Sequence, residues 1–239
     1  MNELILDILQ QLRDSSQGAL NAHQLEILIN SHNSGIDSSA HSTEREKLIP
    51  KRAILPYFLQ VKQKNNELWQ SWNVTPELEE RFIHSVRMKP RRTASGVATI
   101  TVITRPDTCS SNCIYCPCDL RMPKSYLANE PACQRAELTF FDPYVQVAAR
   151  LQALHQMGHS TDKVELIVLG GTWSDYPESY QYWFIKDLFR ALNEWPNSPN
   201  HIKERLNWYT SFGLQNAEEA LSSFVAEQQA AVFDDTATY

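Results

Sequence analysis

Four of the chain's five cysteines lie within ten residues, and this crowding limits the structures open to the chain more than any other feature. They are Cys109, Cys113, Cys116 and Cys118, and the first three follow a C-x3-C-x2-C spacing. Disulfide frameworks belong mainly to small secreted proteins, whereas this chain has 239 residues and opens on an amphipathic, acid-containing segment rather than a signal peptide. The crowding therefore indicates metal or cluster chemistry.

Three thiolates at this spacing can hold three irons of a 4Fe–4S cluster and leave the fourth iron without a protein ligand. That arrangement is typical of radical S-adenosylmethionine (SAM) enzymes, in which the open iron binds SAM and an electron from the cluster cleaves it to a 5′-deoxyadenosyl radical. Such a site requires an electron donor. The alternative is structural zinc with Cys118 as fourth thiolate, although zinc sites usually combine two separated C-x2-C elements.

The spacing of apolar residues predicts two regions of different character. Residues 1–88 show helical periodicity and predict a small helical domain, with helices over residues 53–63 and 76–86. Thr75 is suited to cap the second of these helices. The polar run at residues 31–42 has almost nothing to bury and predicts a flexible loop.

From residue 89 onward the pattern is that of an α/β protein. Two apolar strands, at residues 96–104 and 164–169, alternate with helices that are predicted at residues 143–157 and 178–192. This order predicts a parallel sheet, either doubly wound or barrel-like. The sequence further predicts a loop over residues 105–142 and, after about residue 195, helical stretches at 201–212 and 216–233 without a third strand.

Two features accompany the cysteines at the predicted carboxyl edge of the sheet. Gly170, Gly171 and Thr172 follow the second strand, where glycine lets backbone groups approach a ligand and Thr172 adds a hydroxyl. These three residues and Tyr115, whose ring could pack near adenine, are the candidates for binding SAM. The alternatives are an ordinary turn for the glycines and loop packing for Tyr115.

Several motifs together resemble the catalytic subunit of the Elongator complex and its stand-alone bacterial and archaeal relatives. They are Arg92–Gly96 (RTASG), the run CSSNCIYCP that begins at Cys109, Glu130-Pro131, Arg135-Ala136, FDPYVQ at residues 141–146, GHSTDKVE at residues 158–165 and Gly170-Gly-Thr172. The resemblance implies a radical SAM parallel α/β (TIM-like) barrel followed by an acetyltransferase domain. Residues 89–239 would then be the first, incomplete part of the barrel, and the acetyltransferase domain is absent from this chain.

The resemblance also implies an activity, which is modification of the wobble uridine (position 34) of tRNA. A carboxymethyl group is added at uridine C5 from acetyl-CoA, whose methyl group loses hydrogen to the deoxyadenosyl radical. Lys163 is implied as an acetyl-CoA contact, with a solvated strand cap as the alternative. Cys118 departs from the family, which usually has glycine there. The sequence assigns no catalytic residue, and the isolated chain is expected to be inactive.

The distribution of charge favours an RNA partner. The chain has a net charge of −6, yet residues 81–105 contain six cations and no acid, so the remainder carries −12. Arg87, Lys89, Arg91 and Arg92 are the candidates for binding tRNA phosphates, with an ordinary solvated face as the alternative. No membrane association is expected, because no apolar run could span a bilayer. No DNA partner is expected, and a cytoplasmic location is expected. Two further hypotheses stay open: a zinc-stabilised RNA-binding module without catalysis, and a radical SAM enzyme with another substrate.

Overall fold

The computed structural model describes residues 1–15, 18–34, 48–117 and 119–212. The chain forms two compact units. The first consists of Met1–Gly96 and Leu154–Thr161, and the second of Val97–Ala153 and Asp162–Tyr239. None of the described helices is long and apolar enough to cross a membrane.

The first unit is built from helices, as the apolar spacing predicts. Its elements are α1 (Asn2–Asp14), α2 (Ala22–Asn33), α3 (Lys51–Lys64), α4 (Asn66–Ser71), α5 (Pro76–Val86) and a 3-10 turn at Pro90–Thr93.

Three of these helices begin at side-chain caps, and at α4 the cap is Asn65, whose side chain accepts the Leu68 N–H at 3.1 Å. The Thr75 hydroxyl accepts the Leu78 N–H at 3.2 Å and so caps α5, which confirms the predicted start of this helix. At the start of α2, Asn21 and Gln24 form a reciprocal capping box with two 2.9 Å bonds.

An apolar core holds the first unit together. One face of α1 is fully buried, and it packs against α2 and α5. Phe58 of α3 is also fully buried and stacks on Phe82 of α5, with ring centroids 4.1 Å apart. Each such side chain contributes about 1.5–3 kcal/mol by leaving water. The buried residues of α1 are Leu4, Ile5, Ile8, Leu9 and Leu12.

The polar run is only partly described. Residues 31–33 form the last turn of α2, so the predicted loop was wrong for them. Asn33 is the last residue of the helix. Its side-chain amide forms two hydrogen bonds with the backbone of Ile49 and so joins the helix end to that residue. Residues 35–42 lie outside the described residues.

The second unit alternates strands and helices. Its elements are β1 (Ala98–Ile103), α6 (Pro131–Glu137), α7 (Pro143–Gln156), β2 (Val164–Leu169), α8 (Glu178–Asn193) and α9 (Ile202–Ser211), with 3-10 turns at Trp173–Asp175 and Ser198–His201. The last three residues of α7, from Leu154, belong to the first unit.

The two strands pair in parallel, which confirms the predicted sheet direction. The register runs from Ala98 opposite Val164 to Ile103 opposite Leu169. Within the described residues the sheet has these two strands only, so the structure is a helix-rich α/β arrangement and does not confirm a barrel. A closed barrel needs further strands, and the described chain after β2 is helical.

Most predicted helices of this unit are present, and one helix was missed. The Asp142 carboxylate accepts the Val145 N–H at 2.8 Å and caps α7, while Gly158 follows the helix with φ +82°. The predicted loop over residues 105–142 was wrong at α6, a short helix with Pro131 in its first turn and Cys133 buried. The helix predicted at residues 216–233 lies outside the described residues.

Candidate functional site

Two segments leave the carboxyl ends of the paired strands, at one edge of the sheet. The cysteine loop starts at Arg105 after β1 and contains Cys109, Cys113 and Cys116, and the glycine segment, Gly170–Thr172, follows β2. The Thr104 N–H donates to the Leu169 carbonyl at 2.9 Å and extends the pairing by one residue beyond β1. On the other side of β1, the Gln146 amide bonds both backbone groups of Ile103, at 2.8 and 2.9 Å. The chain therefore leaves β1 in a fixed direction.

Gly170 is required where these segments meet. A Cβ atom at this position would lie 2.0 Å from the Thr104 hydroxyl oxygen, so no other residue fits without displacement of Thr104. Gly171 lies against Lys124, where a Cβ would be 3.6 Å from the Lys124 Cβ, which is an ordinary contact. Close backbone approach, rather than an unusual φ angle, explains the first glycine.

Two tyrosines hold the start of the cysteine loop. The Tyr176 hydroxyl lies 2.7 Å from the Thr104 hydroxyl and donates to the Arg105 carbonyl at 2.9 Å. The Tyr180 hydroxyl accepts the Arg105 N–H, also at 2.9 Å. Burial raises the pKa of Tyr176, so its hydroxyl keeps the proton that it donates.

Cys109 lies beside the glycine segment. Its Sγ is 3.3 Å from the Thr172 hydroxyl. The pKa of the Cys109 thiol is lowered, first by this hydrogen bond and then by a backbone hydrogen bond from Ser111, while the nearby Asp175 opposes the shift. Since a thiolate is the form that ligates metal, this environment favours a ligand.

The fifth cysteine has the opposite environment. Cys133 of α6 is fully buried, and burial raises the pKa of its thiol to about 11. It packs with Ile103 and Phe141 in a small apolar cluster. Cys133 is therefore suited to packing and not to metal ligation.

The other two cysteines of the motif are less tightly held. Cys116 Sγ lies 3.5 Å from the Ser125 hydroxyl and 3.7 Å from the Pro117 carbonyl, and Cys113 is exposed. All three cysteines are free thiols. Cys118 lies outside the described residues.

The three thiols fit an iron–sulfur cluster in chemistry, but the structure does not gather them. No group of three or more His, Cys, Asp or Glu side chains within the described ranges could hold a metal ion as it stands. Without a cation, thiolates repel one another, and a metal site commonly takes shape only as its metal binds. The loop thus supplies three free thiols, which the described structure does not bring together.

A cavity of about 570 Å³ opens beside the cysteine loop. Its walls come from the start of the loop, Arg105 to Thr108, and from the segment between Asp119 and Lys124. Asp119 is fixed by Arg121 at 2.9 Å, and this hydrogen bond lowers the pKa of its carboxyl group. The volume is within the range of small-molecule and cofactor sites.

Tyr115 and Lys163 occupy different surroundings. Tyr115, between the second and third cysteines, is 86% exposed, so its ring is available to a ligand rather than packed in the loop. Lys163 is exposed directly before β2, and its carbonyl accepts the Ala98 N–H at 2.9 Å. It therefore lies at the end of the strand opposite the cysteine loop.

The predicted tRNA-binding residues form one short stretch of the first unit. Arg87 follows α5 and is half-buried, whereas Lys89, Arg91 and Arg92 are exposed in and before the 3-10 turn. His159 is close enough to this stretch to be affected by its charge. The pKa of His159 is lowered first by burial and then by the charges of Arg87 and Arg92.

Arg81 and Arg105, the first and last cations of residues 81–105, have separate roles. Arg81 donates to the backbone carbonyls of Gly18 and Ser15 at 2.9 and 3.1 Å and so joins two parts of the first unit. Arg105 forms an ion pair with Asp107 at 2.9 Å in the second unit. The four central cations are thus the ones suited to contact phosphates.

Sequence reasoning missed several residues that shape the site. Asp175 accepts the N–H and the hydroxyl of Ser110, and neither residue stood out in the sequence. Tyr176 and Tyr180 were missed as well. The aromatic and acidic residues directly after Gly170-Gly-Thr172 were the only available signal.

Comparison with known proteins gives the following similarities. No family model matches the chain. It is 41% identical over 139 residues to the tRNA uridine(34) acetyltransferase of Methanocaldococcus infernus, a match that covers 56% of this chain and 26% of that protein. It is 49% identical over 105 residues to the protein of the same name from Dehalococcoides mccartyi, covering 44% and 23%.

A eukaryotic protein is similar as well. Elongator complex protein 3 of Bos taurus is 37% identical over 146 residues, which cover 56% of this chain and 26% of that protein. The matches thus extend over about a quarter of the length of these relatives. They confirm, over about half of this chain, the resemblance to the N-terminal part of the Elongator catalytic subunit family.

Proposed function

We propose that this chain is the N-terminal part of an enzyme that modifies the wobble uridine of tRNA. The observation that carries the proposal is the similarity, at 36–49% identity, to proteins named tRNA uridine(34) acetyltransferase and Elongator complex protein 3. The cysteine loop and the Gly170–Thr172 segment at one edge of a parallel pair support it, since active sites of parallel α/β folds lie at that edge.

Cys109, Cys113 and Cys116 would hold a 4Fe–4S cluster. When bound, this cluster supplies the electron that cleaves SAM. The Thr172 hydroxyl and the backbone of Gly170 and Gly171 would bind the methionine part of SAM. The exposed ring of Tyr115 is available for its adenine.

The residues around the loop hold its first part in place and favour loss of the Cys109 thiol proton. Thr172 favours the thiolate form of Cys109, the form that binds iron, by its hydrogen bond to Sγ. Tyr176 and Tyr180 fix Arg105, from which the loop starts, and Gly170 allows Thr104 to reach them. The loop is thus anchored at its first residue and at its first cysteine.

We further propose acetyl-CoA as the source of a carboxymethyl group for uridine C5. Lys163 would contact the phosphates of acetyl-CoA, since an exposed ammonium group is a suitable partner for them. Its position at the far end of β2 separates this contact from the cluster loop. Lys163→Ala in a longer protein that carries the acetyltransferase part should weaken acetyl-CoA binding while iron content stays unchanged.

tRNA would bind to the stretch formed by Arg87, Lys89, Arg91 and Arg92. Three of these side chains are exposed, and no ion pair to any of the four is seen among the described residues. Cations without acidic partners are free to neutralise phosphates and release counterions.

Anaerobic reconstitution tests the proposed chemistry. The 239-residue chain is incubated with iron and sulfide, reduced with dithionite and examined by electron paramagnetic resonance with and without SAM. We expect a brown protein whose reduced 4Fe–4S signal changes when SAM is added, because an open iron accepts it. A colourless protein that keeps zinc through chelator dialysis would instead indicate a zinc-stabilised RNA-binding module.

The substrate class needs a separate measurement. Reconstituted protein that includes the acetyltransferase part is given SAM, acetyl-CoA, a reductant and tRNA, and nucleosides are analysed by mass spectrometry. We expect 5-carboxymethyluridine at position 34 only when SAM and reductant are both present. SAM cleavage without any change at uridine 34 would point to a radical enzyme with another substrate.

A further inference from the structure

The turn that follows Thr172 contacts the cysteine loop through an aspartate that the proposed function does not use. Asp175 accepts the Ser110 N–H at 2.7 Å, and both of its carboxylate oxygens bond the Ser110 hydroxyl, at 3.1 and 2.9 Å. Ser110 directly follows Cys109. We propose that Asp175 and Ser110, here called the clasp, position Cys109 before a cluster binds; this inference rests on the proposed function of the loop.

The clasp and the Thr172 contact belong to one rigid turn. The Asp175 N–H donates to the Thr172 carbonyl at 3.0 Å, which closes the 3-10 turn Trp173–Asp175. The same turn therefore bonds the Cys109 sulfur through Thr172 and the next peptide through Asp175. The Ser110 bond restrains the peptide that follows Cys109 and the Thr172 bond restrains its sulfur, so both the backbone and the side chain of Cys109 are held.

The turn is itself supported from behind. The Trp173 ring packs edge-on against the buried Phe184 of α8, with centroids 5.9 Å apart. Tyr176, which directly follows Asp175, is buried and bonds Thr104 and the Arg105 carbonyl. Asp175 thus acts from a framework tied both to α8 and to the end of β1.

Among the described residues, the other two cysteines have no comparable pair of hydrogen bonds from a neighbouring turn. Cys113 is exposed, and Cys116 has the Ser125 hydroxyl and the Pro117 carbonyl as its closest polar partners in the described structure. The Cys116 N–H donates to the Cys113 carbonyl at 3.1 Å, so these two residues belong to one local turn. Cys109 is therefore the preset ligand, and the Cys113–Cys116 turn closes onto it when iron binds.

Asp175 is a positioning residue and not a ligand. Its two oxygens bond Ser110, and its carboxylate also faces the Cys109 side chain, so it acts on Cys109 both through Ser110 and directly. Loss of the carboxylate should affect the order of the loop and the speed of cluster assembly more than the number of irons bound.

Hydrogen exchange of the iron-free chain tests the clasp itself. In Asp175→Ala the Ser110 amide should exchange at least about tenfold faster, because it loses its acceptor. Asp175→Asn retains one acceptor oxygen and should restore part of the protection. The control is Glu178→Ala, which removes an exposed carboxylate three residues away and should change nothing. Unchanged Ser110 exchange in Asp175→Ala would overturn the clasp.

Cluster assembly tests its role. The rate at which absorbance develops during anaerobic reconstitution should fall severalfold in Asp175→Ala, recover partly in Asp175→Asn, and stay unchanged in Glu178→Ala. Ser110→Ala keeps the N–H bond and should give a smaller effect, which retains a test if Asp175→Ala folds poorly. Faster exchange with an unchanged assembly rate would overturn the positioning role. If the parent chain binds no iron, the proposed function fails, while the exchange result still decides the clasp.

Discussion

Both units contain fully buried apolar side chains, but the cysteine loop of the second unit is positioned by polar contacts. The first unit has a continuous apolar core in which the α1 face, Phe58 and Phe82 are fully buried. In the second unit, side-chain hydrogen bonds join the ends of β1 and β2 around the cysteine loop. Apolar burial stabilises strongly without direction, whereas hydrogen bonds orient groups but contribute only about 0.5–1.5 kcal/mol each.

This difference concerns the site rather than the cores of the two units. The helices of the first unit need no ligand to pack. In the second unit β2 still presents Ile167 and Val168, 37% and 39% exposed, and the thiols stay apart. The site is prepared by polar contacts, and we expect bound iron to supply the remaining attraction.

The largest effect should come from the apolar core. Phe58→Ala removes a fully buried ring that stacks on Phe82, so the free energy of unfolding of the first unit should fall by about 3–5 kcal/mol. Urea unfolding followed by circular dichroism measures it. Ile27→Ala, at a 55% exposed position of α2, is the control and should change stability little. A loss below about 1 kcal/mol for Phe58→Ala would contradict the account of the core.

A smaller loss is expected at the meeting point of the two site segments. Gly170→Ala brings a methyl group to 2.0 Å from the Thr104 hydroxyl oxygen, and overpacking of this kind costs about 1–3 kcal/mol. Thermal unfolding of the variant measures it. Gly171→Ala is the matched control, because its new methyl would meet Lys124 at 3.6 Å. The second change Thr104→Ala should recover part of the loss; if it recovers none, the Thr104 contact is not the cause.

Much of the first unit could be predicted because its signals are local. The α1 face follows from helical spacing, and the α5 start follows from Thr75 next to Pro76. The parallel direction of β1 and β2 was also predictable from the strand and helix order. Helix α6 was missed, because seven residues with only two buried side chains give little periodicity.

The arrangement of the site was less predictable. Cysteine spacing identified the loop, but the Asp175–Ser110 contact joins residues 65 positions apart and left no pattern in the sequence. The fit of Gly170 against Thr104 depends on the register of two strands, which the sequence alone does not give. The predicted barrel would need strands that the described residues do not contain.

The weakest effect should appear in tRNA binding, which depends on charges at the surface of the first unit. Replacing Arg87, Lys89, Arg91 and Arg92 together by alanine should lower tRNA affinity and make the dependence on salt shallower. Each lost phosphate contact removes about 0.9 from the slope of log K against log salt on a duplex. Filter binding over a salt series measures both.

A control variant removes two cations elsewhere on the chain, half as many as the quadruple variant. Lys62 pairs with Glu79 in the first unit, and Arg190 pairs with Glu194 in the second. Their double alanine variant removes charge without removing the proposed phosphate contacts. Unchanged affinity and slope in the quadruple variant, or an equal change in the control, would show that the basic stretch is only a solvated face.

The most direct test of the account is the iron content of four single Cys→Ala variants after anaerobic reconstitution. Cys109→Ala, Cys113→Ala and Cys116→Ala should each lose most of the iron, because each removes one ligand of the cluster. Cys118→Ala should retain about four irons per chain, the number expected of the parent. An equal loss of iron in Cys118→Ala would show a closed four-thiolate site and contradict the proposed open iron.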